Sequence, residues 1–162
     1  MTIVGARIDN RLLHGIVATS WAPQSGATRV MVIDNEVANN PSLKNVMKLG
    51  RPSGMAVSII TKETAVENFK AGKYDDQKIF IISKTPQVFL DLINLGQKIP
   101  EINLGGTLSY EDGIKVTNRA YILPTEVRVY KAIEGSGVKV VSAYTTNDKP
   151  LQVAKVIADR EE

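Results

Sequence analysis

Two short runs constrain what this chain can become. RVMVID at residues 29–34 and KIFIIS at residues 78–83 are nearly unbroken apolar stretches. Runs of this length suit strands covered on both faces, since a strand with one wet face would alternate apolar and polar. Strands are also expected at residues 3–8, 56–60, 101–104, 120–123 and 138–144. Segments with helical spacing separate them. Residues 14–21 set Val17 and Trp21 four apart, and residues 41–49 align Leu43, Val46 and Met47 before Gly50. Thr61 can cap a helix bearing Ala65, Val66 and Phe69. Thr85-Pro86 opens another, with Phe89, Leu92 and Ile93 inward. Further helices are expected from Pro124 or Thr125 to about Glu134, and from Asp148 or Pro150 onward. This alternation predicts an α/β fold: an open, mostly parallel sheet of about seven strands with helices on both faces. No linker, repeat or low-complexity tract divides residues 1–162, so a single domain is expected.

Sheets of this kind bind ligands outside the carboxyl ends of their strands, where the strand order reverses. Four stretches fall at such ends: residues 9–14, 34–40, Lys84-Thr85, and 103–107 with the pair Gly105-Gly106. Composition narrows the chemistry they can perform. There is no cysteine, which excludes disulfides and thiolate metal sites, and a single histidine does not make a protein-only zinc site. No metal and no cofactor are expected. The formal net charge of +3 is too small and scattered to indicate nucleic acid, but suits phosphate or an acidic partner face. The N-terminus MTIVGARIDN lacks a basic region followed by a long apolar stretch, so no signal peptide is expected. No apolar segment approaches the ~20 residues that span a bilayer, so a cytoplasmic protein is expected.

The lone histidine, His14, stands in Arg7-Ile8-Asp9-Asn10-Arg11-Leu12-Leu13-His14-Gly15. One imidazole, two guanidinium groups and one carboxylate thus fall within eight positions after the first strand. A neutral imidazole can take a phosphoryl group, and arginine forks bind phosphate oxygens in a bidentate way. A helix starting near His14 adds free N–H groups at Gly15 and beyond, a natural anion site. Asp9 could hold the second ring nitrogen or an arginine. The plainer alternative makes His14 structural, Asp9 a helix cap and Gly105-Gly106 a turn. Rival motifs are missing. No GxxxxGK[ST] loop and no GxSxG elbow occur, and the glycines at 135 and 137 lie between a helix and a strand, the wrong order for a dinucleotide fingerprint.

The string RIDNRLLHG resembles the active-site loop of the IIB components of the mannose/fructose/sorbose family of the bacterial sugar phosphotransferase system, with Trp21 in the helix that follows. Val32-Ile33-Asp34-Asn35-Glu36-Val37-Ala38-Asn39, Ser83-Lys84-Thr85-Pro86 and Asn103-Leu104-Gly105-Gly106 extend the resemblance over nearly the whole chain. It implies a phosphohistidine carrier enzyme, a protein-histidine–sugar phosphotransferase. Such a carrier accepts a phosphoryl group from a IIA component and passes it to a sugar crossing the membrane through IIC and IID. By position, His14 would be phosphorylated, on Nδ1. Arg7, Arg11, Asp9 and Gly15 would surround the phosphate, and Asp34, Lys84, Thr85, Asn103, Gly105 and Gly106 would line the pocket. The resemblance also implies recruitment to the inner face of the membrane by these partners; a homodimer stays open. Ile16 replaces the family's usual glutamine, and Thr107 and Leu108 follow the glycine pair where methionine and histidine are common. The alternative class is a non-catalytic phosphate- or nucleotide-binding regulatory module of the same architecture.

Overall fold

A computed structural model of the chain describes residues 1–160. Its frame is a seven-stranded sheet in the order β3-β2-β4-β1-β5-β8-β9. The strands are β1 (Thr2–Asp9), β2 (Arg29–Ile33), β3 (Ala56–Ile60), β4 (Lys78–Ser83), β5 (Glu101–Gly106), β8 (Lys139–Ser142) and β9 (Leu151–Gln152). All pairings are parallel except β8 with β9. The fold expected from the alternating pattern is the fold observed. β2 and β4 are buried on both faces, as the apolar runs require.

The helices divide by direction of travel. On the way from β1 through β2 to β3 the chain forms a π turn (Val17–Trp21), α1 (Ala22–Ser25), α2 (Asn35–Ala38) and α3 (Pro41–Leu49). These cover one face, where Leu12, Leu13, Val17, Ala22 and Val37 pack on Val30, Val32, Phe80 and Ile82. On the way from β3 through β4 and β5 to β8 it forms α4 (Lys62–Lys70), α5 (Pro86–Asn94) and α6 (Val127–Gly135). These, with α7 (Val153–Ile157), cover the other face through Ala65, Phe89, Leu92, Tyr130, Ile133 and Ile157. Right-handed crossovers put opposite travel on opposite faces. Side-chain caps set several starts: Asp34 Oδ2 accepts from Val37 N (3.0 Å), and Thr61 Oγ1 from Thr64 N (3.1 Å).

Four local expectations are corrected. The strand at residues 120–123 does not join the main sheet. β7 (Ala120–Ile122) pairs antiparallel with β6 (Ile114–Thr117) in a separate hairpin. In β6 the buried Ile114 and Val116 flank the exposed Lys115, a period of two too short to stand out. The helix expected from residue 148 begins only at Val153, after β9 has closed the sheet edge. Asp148 instead binds back, its Oδ2 accepting from Tyr144 N (3.2 Å) and Thr145 N (2.9 Å). The segment 15–25 is one helical run, but its middle is π-wound, with Ala22 N donating to Val17 O. Finally, α3 does not bury the face expected of it: Leu43 and Val46 are exposed, and only Met47 turns toward the core.

Candidate functional site

The loop leaving β1 leads toward β2 on one side of the sheet, and the chain leaving β5 leads toward β8 on the other. The strand order therefore reverses between β1 and β5, and the crevice above their carboxyl ends is where this topology places a ligand. Asp9 ends β1. Opposite it the register slips: Ile8 pairs with Leu104, but Asp9 pairs with Gly106, leaving Gly105 as an extra residue in a bulge.

The slip makes room for Arg7, whose side chain is fully buried. A Cβ on Gly105 would lie 2.1 Å from Arg7 Cζ, so only glycine permits this packing. Arg7 Nε donates to Asp9 Oδ2 (3.0 Å) and Nη1 to Asn103 Oδ1 (2.9 Å). The guanidinium lies between two aromatic rings, 4.9 Å from the Trp21 centroid and 5.6 Å from that of Tyr144. Cation–π attraction of this kind offsets part of the burial cost for Nη2, which has no hydrogen-bond partner. Burial lowers the Arg7 pKa from its ordinary value, against the opposing pull of Asp9.

Asp9 gathers the loop. Its Oδ2 also accepts from His14 Nε2 (2.9 Å), and its Oδ1 from the Arg11 backbone N–H (2.9 Å). Burial alone would push this carboxyl up. The bonds from His14 and Arg11, with the Arg7 charge, hold it below the usual carboxylate range instead. It is therefore an anion at neutral pH, and His14 Nε2 is the donor in their contact. In the neutral ring that puts the hydrogen on Nε2 and the lone pair on Nδ1, which has no partner among the described residues.

The loop bends to achieve this. Leu12 adopts a left-handed backbone (φ +58°), an arrangement that costs a non-glycine residue about 1 kcal/mol. In return Leu12 and Leu13 enter the core, and His14 stays near the surface with 9% of its side chain exposed. His14 O then accepts from Ala18 N (3.0 Å), so the helical run starts immediately behind the imidazole. The Arg11 side chain is exposed, as is Gly15.

The expected site residues thus fall into two groups. His14, Asp9, Arg7, Asn103, Gly105 and Gly106 are joined around β1 and β5. Asp34, Lys84 and Thr85 line a separate cleft of about 270 Å³ at the ends of β2 and β4. There Lys84 Nζ stands 3.8 Å from Asp34 and 3.6 Å from Glu36. No side-chain hydrogen bond or ion pair links the groups among the described residues, although β4 lies beside β1. A groove of about 530 Å³ lies along Trp21, Phe80, Asn103 and Ala143, and neither His14 nor Asp9 lines it. Sequence reading missed Tyr144. Its backbone O accepts from Trp21 Nε1 (3.0 Å), and its ring stacks on Arg7 and, at 4.2 Å, on Arg119. Only its place after the β8 strand hinted at the site. Trp21 packs against the core and also covers Arg7.

The family model for the sorbose-subfamily IIB component of the PTS matches residues 3–162. The sorbose-specific EIIB component of Klebsiella pneumoniae is 28% identical over 154 residues, 94% of this chain and 93% of that protein. The N-acetylgalactosamine-specific phosphotransferase enzyme IIB component 2 of Escherichia coli is 38% identical over 111 residues, 68% of this chain and 69% of that one. Among solved structures, the IIBSor domain of the Klebsiella pneumoniae sorbose permease superposes with a TM-score of 0.91 at 25% identity, covering 99% of both chains. This chain belongs to the sorbose subfamily of IIB components of the sugar phosphotransferase system, phosphotransferases that act in sugar uptake.

Proposed function

We propose that His14 Nδ1 accepts the phosphoryl group of a phosphorylated IIA component and passes it to a sugar as that sugar enters through IIC and IID. The observation that carries this reading is the 2.9 Å contact between His14 Nε2 and the Asp9 carboxylate, which leaves Nδ1 as the free nucleophile.

In the first step the Nδ1 lone pair attacks phosphorus in line, the N–P bond to the donor histidine breaks, and the donor imidazole keeps the bonding pair. The Nε2 proton stays in place. The ring gains positive charge, and Asp9, already ionised, stabilises it without moving a proton. In the second step a sugar hydroxyl oxygen attacks phosphorus, its proton leaves to solvent, and His14 departs as the same neutral tautomer. Arg7 is sealed beneath the site, so its part is to hold Asp9. Arg11, exposed on the same loop as His14, is the guanidinium free to meet phosphoryl oxygens, with the N–H groups behind Gly15. Asn103, Gly105 and Gly106 shape the floor, and Asp34, Lys84 and Thr85 border the neighbouring cleft. The protein works in the cytoplasm at the inner face of the membrane.

Incubation with the phosphorylated donor adds one phosphoryl group to the intact mass. The label is acid-labile and base-stable, and absent from His14→Ala. Arg11→Ala keeps the fold and slows labelling about a hundredfold, the scale for removing one charge-stabilising donor. A label that survives His14→Ala refutes the assignment, since no second histidine exists.

A further inference from the structure

Helix α3 is amphipathic in the wrong direction for a core helix. None of its nine residues is buried. Leu43, Val46 and Leu49 expose 43%, 68% and 86% of their surface, at a spacing that lines one side of the helix. The helix is nonetheless well specified. Asn40 Oδ1 accepts from Leu43 N (3.2 Å), Pro41 occupies the first turn, and Met47, next to Leu43 at the edge of the row, packs against the core. The exposed row therefore belongs to an ordered element, not a frayed one.

The charge in this stretch of the chain has one sign. Lys44 and Lys48 lie on the helix and Arg51 just beyond it, and none makes an ion pair among the described residues. No Asp or Glu occurs between Glu36 and Glu63. The occupant of this face must be anionic and able to receive aliphatic side chains. A second copy of the chain fails the first condition, because a two-fold interface would set the same cations against each other. A protein partner would ordinarily be gripped by aromatic anchors, and residues 37–62 contain no aromatic residue. An exposed aliphatic row on a surface helix that carries Lys on its other side and ends in Lys48 and Arg51 suits the boundary between lipid headgroups and acyl chains.

We propose that α3 is a contact with anionic lipid: Val46 and Leu49, with Leu43 at their flank, dip into the membrane interface while Lys48 and Arg51, at the C-terminal end of the helix, meet phosphodiester headgroups. β3, beside which α3 packs, is three strands from β1, about 14 Å across the sheet. Contact through α3 thus leaves His14 uncovered for a protein partner. The attachment is weak and reversible, since each basic residue contributes only about fivefold to partitioning. It requires no step of the phosphoryl-transfer reading and can be tested without it.

The test is co-sedimentation of the whole chain, at low salt, with vesicles of phosphatidylcholine alone or mixed equally with phosphatidylglycerol. The expected result is at least about tenfold greater partitioning into the anionic vesicles, falling as salt rises. The double variant V46D/L49D returns binding to the neutral-vesicle level and keeps the wild-type circular dichroism spectrum, because both positions are exposed. K48E weakens binding in the same sense. Equal binding to both vesicles, or undiminished binding by V46D/L49D, overturns the proposal. So does binding that appears only when the vesicles carry a transporter protein, which would make the occupant a protein.

Discussion

At the scale of single residues, the site is a chain of dependencies ending at one ring nitrogen. Gly105 lacks a side chain so that Arg7 can lie flat in the bulge. Arg7, clamped between Trp21 and Tyr144, fixes the Asp9 carboxylate. Asp9 fixes which edge of His14 is free. The weakest place is the first link, because the guanidinium there can make room only by giving up its bonds. Gly105→Ala would force a methyl into the guanidinium and displace it from Asp9. The expected cost is about 2 kcal/mol of stability, in the range of overpacked interiors. Chemical denaturation measures it, and labelling of His14 should fall with it. A Gly105→Ala protein as stable as wild type would mean Arg7 is not held as described. The sequence showed the glycine pair and the arginine, but not their contact, because ninety-eight positions separate them.

At the scale of elements, the turn before α6 carries a carboxylate that works against itself. Glu126 closes the 3-10 turn Pro124–Glu126, its Oε1 accepting from the Leu123 N–H (3.0 Å). Burial pushes its pKa up, and the single backbone bond opposes this without cancelling it. A raised folded-state pKa means the fold binds the proton more tightly than the unfolded chain does. The corresponding stability is fully present below the unfolded value, about 4.3, and is lost as pH rises through the raised folded value. Glu126→Gln keeps the acceptor and removes the charge. It should be at least as stable as wild type at neutral pH and lack that decline, as read from denaturation midpoints across the acidic range. A variant less stable than wild type at neutral pH would show that the carboxylate charge is needed. Elements were legible where apolar pattern and burial coincide, as in β2 and β4. They were misread where a local bond redirects the chain, as Asp148 does, and where an apolar stripe faces outward, as in α3.

At the scale of the molecule, the strand order brings together segments that are remote in sequence. His14 comes from the loop after β1, Asn103 and Gly105 from β5, and Tyr144 from the segment after β8. Trp21 Nε1 binds Tyr144 O across 123 positions and ties both halves of the sheet at the site. Residues 1–162 are expected to unfold as one domain. Trp21 is the only tryptophan, so its fluorescence reports the site, whereas far-ultraviolet circular dichroism reports the whole chain. The two denaturation curves should coincide. Separate midpoints would show that the site region melts apart from the rest. Among the described residues no helix is long and apolar enough to cross a membrane.

The sequence alone determined the layered fold, because doubly apolar strands alternating with helices can be buried in few other ways. It also singled out the residue proposed to react, because only one histidine is present and it stands among arginines at a strand end. Tertiary structure decided how those residues divide the work. Both arginines look alike in one dimension, yet one is sealed under aromatic rings and the other lies open to solvent. Hydrogen-bond direction decided which imidazole nitrogen is free. Both outcomes depend on distances between strands, and a linear pattern does not contain those distances.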